Sequence, residues 1–335
     1  MSESGTPSTP AEVLAGNDVL QRREHAAIIG AGVIGASWTA LFLAHGMEVR
    51  VTDPDPDAER KVRSLIDEAA PTLSALGLPT AGIYDRLRFV DDLADAVAGA
   101  DIVQENGPEK VKFKRSLWSS IEQSAPPHAL FLSSTSGILA TSMAKEMTDP
   151  TRLLIGHPFN PPHLVPLVEI VPGEQTAAQC VDEAVAFYTA LGKRPLVLHK
   201  EIPGFVANRL QAAMFQECVH LVASGVVGMD ELDEVVTSSL GPRWAAGGPF
   251  VSFHLGGGTG GFEHFLTHLG PGMEYIWKNR LGHPSFDEET TTYLIEDLHR
   301  AYGDRTIDEL AAERDRLQVA ILNALANSRP QPSTN

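Results

Sequence analysis

The sequence predicts an α/β fold: a doubly wound, mostly parallel sheet followed by an all-helical second domain. Three observations carry this. A short apolar run at 25–29 ends in a glycine turn, a helical pattern follows, and 48–52 then alternates as a strand does. Strand and helix signals keep alternating to about residue 200. From Val206 onward the patterns are long and helical, with almost no strand signal.

Taken in order, 25–29, the turn, a helix at 36–44 and a strand at 48–52 make one βαβ unit. A helix is expected at 57–70, a short strand at 88–90, a helix at 92–97 and a strand at 101–104. A helix at 109–123 and a strand at 129–133 come next, then strands at 151–157 and 167–171, a helix at 176–191 and a strand at 194–198. Beyond the change of texture near Pro203, helices are expected at 206–224, 230–240, 261–269, 286–302 and 307–326. The stretch 241–261 is glycine-rich, and 256–261 within it reads as a flexible hinge or substrate loop. The division is a disordered tail over 1–22, a nucleotide-binding domain over 23–200, a helical domain over 201–327 and a second disordered tail over 328–335.

The chain has 335 residues, 43% hydrophobic and 21% charged, enough to bury the core of one large or two ordinary domains. Its formal net charge of −17 argues against nucleic acid as a partner, because phosphate backbones are held by clustered Lys and Arg. The two cysteines, Cys180 and Cys218, have no metal or redox spacing and are expected to be reduced core residues of a cytoplasmic protein. Residues 1–17 lack the basic start and apolar centre of a secretory leader, and no apolar run has bilayer length, so no membrane association is expected. His264 and His268 lie four apart on a predicted helix, but no Cys or H-E-x-x-H accompanies them and no metal is expected.

Gly30, Gly32 and Gly35 form G-x-G-x-x-G directly after a strand. The first glycine permits the turn, the second lets backbone approach a pyrophosphate, and the third allows close helix–strand packing. With Val33 and Ile34 they open a helix whose N-terminus attracts phosphate. Asp53 closes the second strand, 18 positions after Gly35, where a carboxylate can accept hydrogen bonds from a ribose 2′-hydroxyl. It would repel a 2′-phosphate, and Asp55 and Asp57 follow with no Arg among them. The pattern points to a Rossmann-type dinucleotide site with NAD favoured over NADP, while FAD stays open on these residues alone.

His157 sits in G-H-P-F-N-P, and Glu169 follows 12 positions later in L-V-E-I-V. Pro161, Pro162 and Pro166 between them favour an irregular turn, so two joined strands could bring imidazole and carboxylate together. Such a pair fixes the tautomer of a general base. On spacing alone, a loop histidine and an unrelated strand glutamate is the simpler reading. Ser136 in S-S-T-S-G has the alternative role of a helix N-cap, and Asn208 in P-G-F-V-A-N-R that of a surface or capping amide.

The stretches I-I-G-A-G-V-I-G, S-S-T-S-G, G-H-P-F-N-P-P, L-V-E-I-V, P-G-F-V-A-N-R-L and G-G-P-F stand in an order and spacing that resemble the 3-hydroxyacyl-CoA dehydrogenase family. The resemblance implies that His157 is the general acid/base paired with Glu169, and that Ser136 and Asn208 hydrogen-bond the reacting oxygen. It implies that Glu109, Lys114 and Asn160 line the nicotinamide side of the cleft. It also implies that the helical domain closes the substrate cleft and carries a homodimer interface. One departure bears on the substrate: 64–85 contains no Lys or Arg, but does contain Asp67, Glu68, Pro71 and Pro79, leaving little to hold the phosphates of CoA.

The segment G-P-R-W-A-A-G-G-P-F, then F-H-L-G-G-G-T-G-G and H-F-L-T-H-L-G-P, is more similar to the branch of L-carnitine dehydrogenase and lambda-crystallin (L-gulonate 3-dehydrogenase). That branch oxidises small free 3-hydroxy acids. Aromatic faces attract a quaternary ammonium group, and Trp244, Phe250, Phe253, Tyr275 and Trp277 could supply a cage or simply pack a cleft wall or dimer interface. The expectation is an NAD-dependent 3-hydroxy acid dehydrogenase acting on a carnitine-like or sugar-acid-like substrate. Its rivals are an acyl-CoA dehydrogenase, a ketoreductase on a biosynthetic intermediate such as a polyketide, and a non-catalytic lambda-crystallin-like structural protein.

Overall fold

In the computed structural model, residues 18–328 are described; of the expected tails over 1–22 and 328–335, 1–17 and 329–335 lie outside them, while 18–21 make one helical turn and Ser328 ends the last helix. Eight strands follow: β1 (His25–Ile29), β2 (Glu48–Thr52), β3 (Leu87–Phe89), β4 (Ile102–Glu105), β5 (Leu130–Ser133), β6 (Leu153–Pro158), β7 (Leu167–Pro172) and β8 (Arg194–Val197). They form one sheet in the order β3-β2-β1-β4-β5-β6-β7-β8. All neighbours run parallel except β6 and β7, which are antiparallel and joined by the proline-rich turn. This is the doubly wound, mostly parallel sheet expected.

Alternating side chains of the strands feed two apolar layers. Ile28, Ile102, Leu130 and Leu132 face one layer, completed by α1 (Val33–Ala44), α2 (Ala58–Ala75) and α6 (Ala178–Ala190). Ala27, Val103 and Phe131 face the other, completed by α3 (Leu93–Val97), α4 (Val111–Ser124) and α5 (Ala140–Met143). Trp38, Phe42, Phe187 and Tyr188 interlock in the first layer with ring centroids 5.4–5.5 Å apart, and Trp118 lies 5.4 Å from Phe131 in the second. Each such ring contributes roughly 1.5–3 kcal/mol by leaving water. Cys180 and Cys218 are free but only half-buried, not the core residues expected.

Helix α2 runs past Pro71, where the sequence pattern had it stop. Its buried face continues through Ala69, Thr72 and Leu73, and that packing outweighs the hydrogen bond the proline removes. Residues up to Val206, with 314–328, form one compact unit, and Ala207–Glu313 forms a second. The second unit holds α7 (Ala207–Ala223), α8 (Met229–Val235), α9 (Gly241–Gly256), α10 (Gly261–His268), α11 (Gly270–Asn279) and α12 (Glu288–Tyr302); the last helix, α13 (Ile307–Ser328), belongs to both. The glycine-rich stretch 241–256, for which the sequence pattern showed no helix, is therefore helical, kinked at Gly248 (φ +72°), and α11 is a second helix that pattern did not show. Both α9 and α11 begin with a proline in the first turn, where no N–H is needed and proline is tolerated. Among the described residues, no helix is long and apolar enough to cross a membrane.

Burial holds two histidines of the first unit, His45 and His163, down at about 4, helped in each case by the nearby Lys193 cation. A base whose folded pKa lies below its unfolded value of 6.5 binds its proton mainly after unfolding. The contribution is then complete above 6.5 and is lost as pH falls toward 4. Thermal unfolding should therefore show stability dropping between pH 6.5 and 4 by up to about 3 kcal/mol per histidine. The double variant His45→Asn/His163→Asn should flatten that slope, and an unchanged slope would contradict it.

Candidate active site

The glycine turn sits between β1 and β4, where the strand order reverses and open α/β sheets bind ligands. Gly30 has φ +92°, and a Cβ there would lie 2.9 Å from the backbone of Asn106. At Gly35 a Cβ would come within 1.9 Å of the Gly30 carbonyl oxygen, so α1 packs directly on the turn. Gly32 has nothing within 4 Å of such a Cβ, and its residue neighbour Val33 is 59% exposed. The backbone of the helix start is thus open to a pyrophosphate where it needs to be.

Asp53 closes the turn from the other side: one carboxylate oxygen accepts the Ala31 N–H (2.7 Å) and the other the Asp55 N–H (2.8 Å). Carboxylate oxygens keep lone pairs for a ribose hydroxyl beyond these bonds. The nearby bases are each engaged by an acid: Lys61 by Asp55, Arg60 by Asp57 at 3.4 Å and Arg63 by Glu59 at 2.6 Å. The residues present therefore fit a dinucleotide with an unphosphorylated ribose.

Under the turn lies a buried polar chain that the sequence pattern did not reveal. Tyr188 donates to Gln104 (2.8 Å), Gln104 and Trp38 donate to the Ser134 hydroxyl (2.9 and 3.1 Å), and Ser134 donates to Asn106 (2.7 Å). Beside it, fully buried Glu105 accepts from Lys114 (2.5 Å), the Gly107 N–H (2.6 Å) and Ser133 (2.6 Å). Lys114, 1% exposed, also donates to the Gly107 carbonyl at 3.1 Å and lies 3.7 Å from Glu109, so it sits beneath the loop and holds it. Glu109 is exposed, and a single oxygen of it accepts from Thr135 Oγ1 (2.5 Å), Ser136 N–H (2.9 Å) and Gly137 N–H (3.0 Å). Ser136 is not an N-cap, because α5 starts only at Ala140 after Leu139.

His157 and Glu169 face one another directly across the antiparallel β6–β7 pair. His157 Nδ1 lies 2.9 Å from Glu169 Oε2, with the two side chains 3% and 1% exposed. A carboxylate can only accept, so Nδ1 carries a proton, which in the neutral ring puts the lone pair on Nε2. Oε1 of Glu169 accepts the Val206 N–H at 3.0 Å. The imidazole is held edge-on by Phe159 (4.7 Å) and Phe205 (5.1 Å). Phe205 is fully buried with φ +49°, a left-handed conformation that costs a non-glycine residue roughly 1–2 kcal/mol. Neither phenylalanine was marked by its sequence pattern, although P-G-F before a helix is a turn signal.

The C-terminal edge of the sheet thus gathers Gly30, Gly32, Gly35, Asp53, Glu109, Lys114, Ser136 and His157, with Asn160 exposed two residues beyond β6. Asn208 stands half-buried in the first turn of α7, in the second unit. Within that unit Phe253 packs on Phe265 (4.8 Å) and Phe250 on Phe262 (5.9 Å). Phe262 stacks on Phe265 at 6.0 Å, so Phe250 and Phe253 belong to one ring cluster, and among the described residues no ring pair joins Trp244, Tyr275 or Trp277 to it. His264 and His268 stack at 4.0 Å, and no group of three metal-ligating side chains occurs among the described residues.

Comparisons with known proteins show the family. The family model for the NAD binding domain of 3-hydroxyacyl-CoA dehydrogenase matches residues 25–202, and that for its C-terminal domain matches 204–307. An L-carnitine dehydrogenase of Streptomyces coelicolor is 46% identical over 91% of this chain and 96% of its own. A 3-hydroxyacyl-CoA dehydrogenase of Gibberella moniliformis is 41% identical over 89% and 94%. Among solved structures, 5-formyl-3-hydroxy-2-methylpyridine 4-carboxylic acid 5-dehydrogenase, an NAD+-dependent dismutase, superposes with a TM-score of 0.71 at 30% identity over 92% of this chain and 99% of that one. The chain belongs to the 3-hydroxyacyl-CoA dehydrogenase family and is an NAD-dependent dehydrogenase acting on a CH–OH group.

Proposed function

We propose that this enzyme reversibly oxidises a small, free 3-hydroxy carboxylate, carnitine-like or sugar-acid-like, to the 3-keto acid. The observation that carries the reading is the buried, in-register His157–Glu169 pair at the edge of a dinucleotide turn. NAD, when bound, supplies the hydride acceptor at its nicotinamide ring. His157 takes the hydroxyl proton at Nε2, and Glu169 stabilises the imidazolium that results. Ser136 and Asn208 hydrogen-bond the reacting oxygen, and Glu109, Lys114 and Asn160 shape the nicotinamide side. Trp244, Phe250 and Phe253 line the substrate's far end.

A free acid is favoured over a CoA ester because 64–85 carries no base and the bases at the start of α2 are held by acids. The Streptomyces relative, named for L-carnitine, supports the same choice. The Gibberella relative, named for a 3-hydroxyacyl-CoA, favours the second reading. Exposed Leu255 and Trp277 in the helical unit support a homodimer through that unit, and the sequence character supports a cytoplasmic location.

NADH formation should be followed with L-carnitine, other free 3-hydroxy acids and 3-hydroxybutyryl-CoA. Turnover of a free acid is expected, and turnover of the CoA ester alone would overturn the substrate assignment. His157→Ala should lower kcat by about a hundredfold or more and leave NADH affinity nearly unchanged. Wild-type turnover in that variant would refute the role of His157.

A further inference from the structure

Between His157 and Glu169 the chain runs through a loop with an unusual shortage of donors. Four of the nine residues 158–166 are proline, so nine carbonyls are matched by five N–H groups. Two of those, Leu164 and Val165, both donate to the Pro161 carbonyl (3.0 and 2.9 Å). The loop must therefore be satisfied from outside.

Two buried side chains do this. Lys193, at the turn between α6 and β8 and 7% exposed, donates to the carbonyls of Pro162 and, at 2.9 Å, Val165. Its amine lies 5.8 Å from the centre of the Trp38 ring, and among the described residues no carboxylate pairs with it. Burial lowers it to about 7. A buried cation without a counter-ion is costly, and carbonyl acceptors are what makes it tolerable here. The second side chain is Ser37, on α1 five residues after Gly32. Its fully buried hydroxyl accepts the His163 N–H (2.9 Å) and lies 2.8 Å from His163 Nδ1, to which it can donate its one proton.

We propose that Ser37, His163 and Lys193 form a buried clamp that positions the loop 159–166 for hydride transfer, tying the dinucleotide helix to the segment that carries His157 and Asn160. The clamp rests on the function proposed above. All three side chains are buried, so its role is to position the loop and not to bind a ligand. It acts because β6 ends one residue after His157, and Phe159, the loop's first residue, packs on the imidazole. A misplacement of about 1 Å at a reacting group costs up to roughly a hundredfold in rate.

The test compares Ser37→Ala, Lys193→Met, His163→Leu and His163→Asn with the full-length wild type. Steady-state kinetics use whichever 3-hydroxy acid turns over, NADH binding is read by fluorescence, and amide exchange is followed by mass spectrometry. Ser37→Ala and Lys193→Met should each lower kcat about tenfold or more, with NADH affinity within about threefold of wild type. Exchange across 163–165 should quicken while β6 stays protected. His163→Asn, which keeps an acceptor in place of Nδ1, should retain most of kcat, whereas His163→Leu should not. The double variant Ser37→Ala/His163→Leu should be no worse than the poorer single, since both remove the same bond. If Lys193→Met does not fold, the Ser37 and His163 variants decide alone. Unchanged kcat, unchanged loop exchange, or a loss of NADH binding equal to the loss of kcat would overturn the clamp. No turnover of any 3-hydroxy acid by the wild type would instead contradict the proposed function, and the exchange data would still report on the clamp.

Discussion

The antiparallel register of β6 and β7 is the constraint on which the candidate site depends. It sets His157 opposite Glu169 in a sheet whose other neighbours run parallel. A carboxylate 1% exposed costs several kcal/mol unless its lone pairs are met. Here one oxygen meets the imidazole and the other the backbone N–H of Val206. That second bond requires the chain to turn sharply at Phe205, and the left-handed backbone there is sustained by a phenyl ring packed on the imidazole it helps to hold. A one-residue slip of the hairpin would send His157 and Glu169 to opposite faces and undo all of this.

The same economy governs the neighbouring turn. The ends of β4 and β5 bring Glu105, Asn106, Ser133 and Ser134 under the glycines, and each buried polar group is met by a specific partner. Such networks rigidify only when complete. The helix start is left open at Gly32, while Gly30 and Gly35 are packed so tightly that no side chain fits. Rigidity beneath and openness above suit a site that must hold a dinucleotide in one pose.

Much of this was legible in the sequence, for physical reasons. The glycine turn and Asp53 carry their own mechanism, and the alternation of strand and helix signals follows from burial on both faces of a sheet. The pairing of His157 with Glu169 was not decidable from a spacing of 12, because register is a tertiary fact; the family resemblance supplied it. Glu105 and Lys193 carried no signal in the sequence pattern, and only packing shows that they are buried. Helices α9 and α11 were hidden by their glycines and prolines, which tertiary contacts and first-turn positions made tolerable. Of the aromatics that the branch resemblance suggested, Phe250 and Phe253 join one ring cluster in the helical unit through Phe262 and Phe265.

The central claim is that Glu169 fixes the His157 tautomer, with the proton on Nδ1 and the lone pair on Nε2. Nitrogen-15 NMR of the histidine side chains, with His157 assigned by comparison with His157→Ala, measures this directly at neutral pH. The account predicts a protonated Nδ1 and an unprotonated Nε2 in the wild type, with that pattern lost in Glu169→Ala. A His157 carrying its proton on Nε2, or a tautomer unchanged by removal of Glu169, would contradict it.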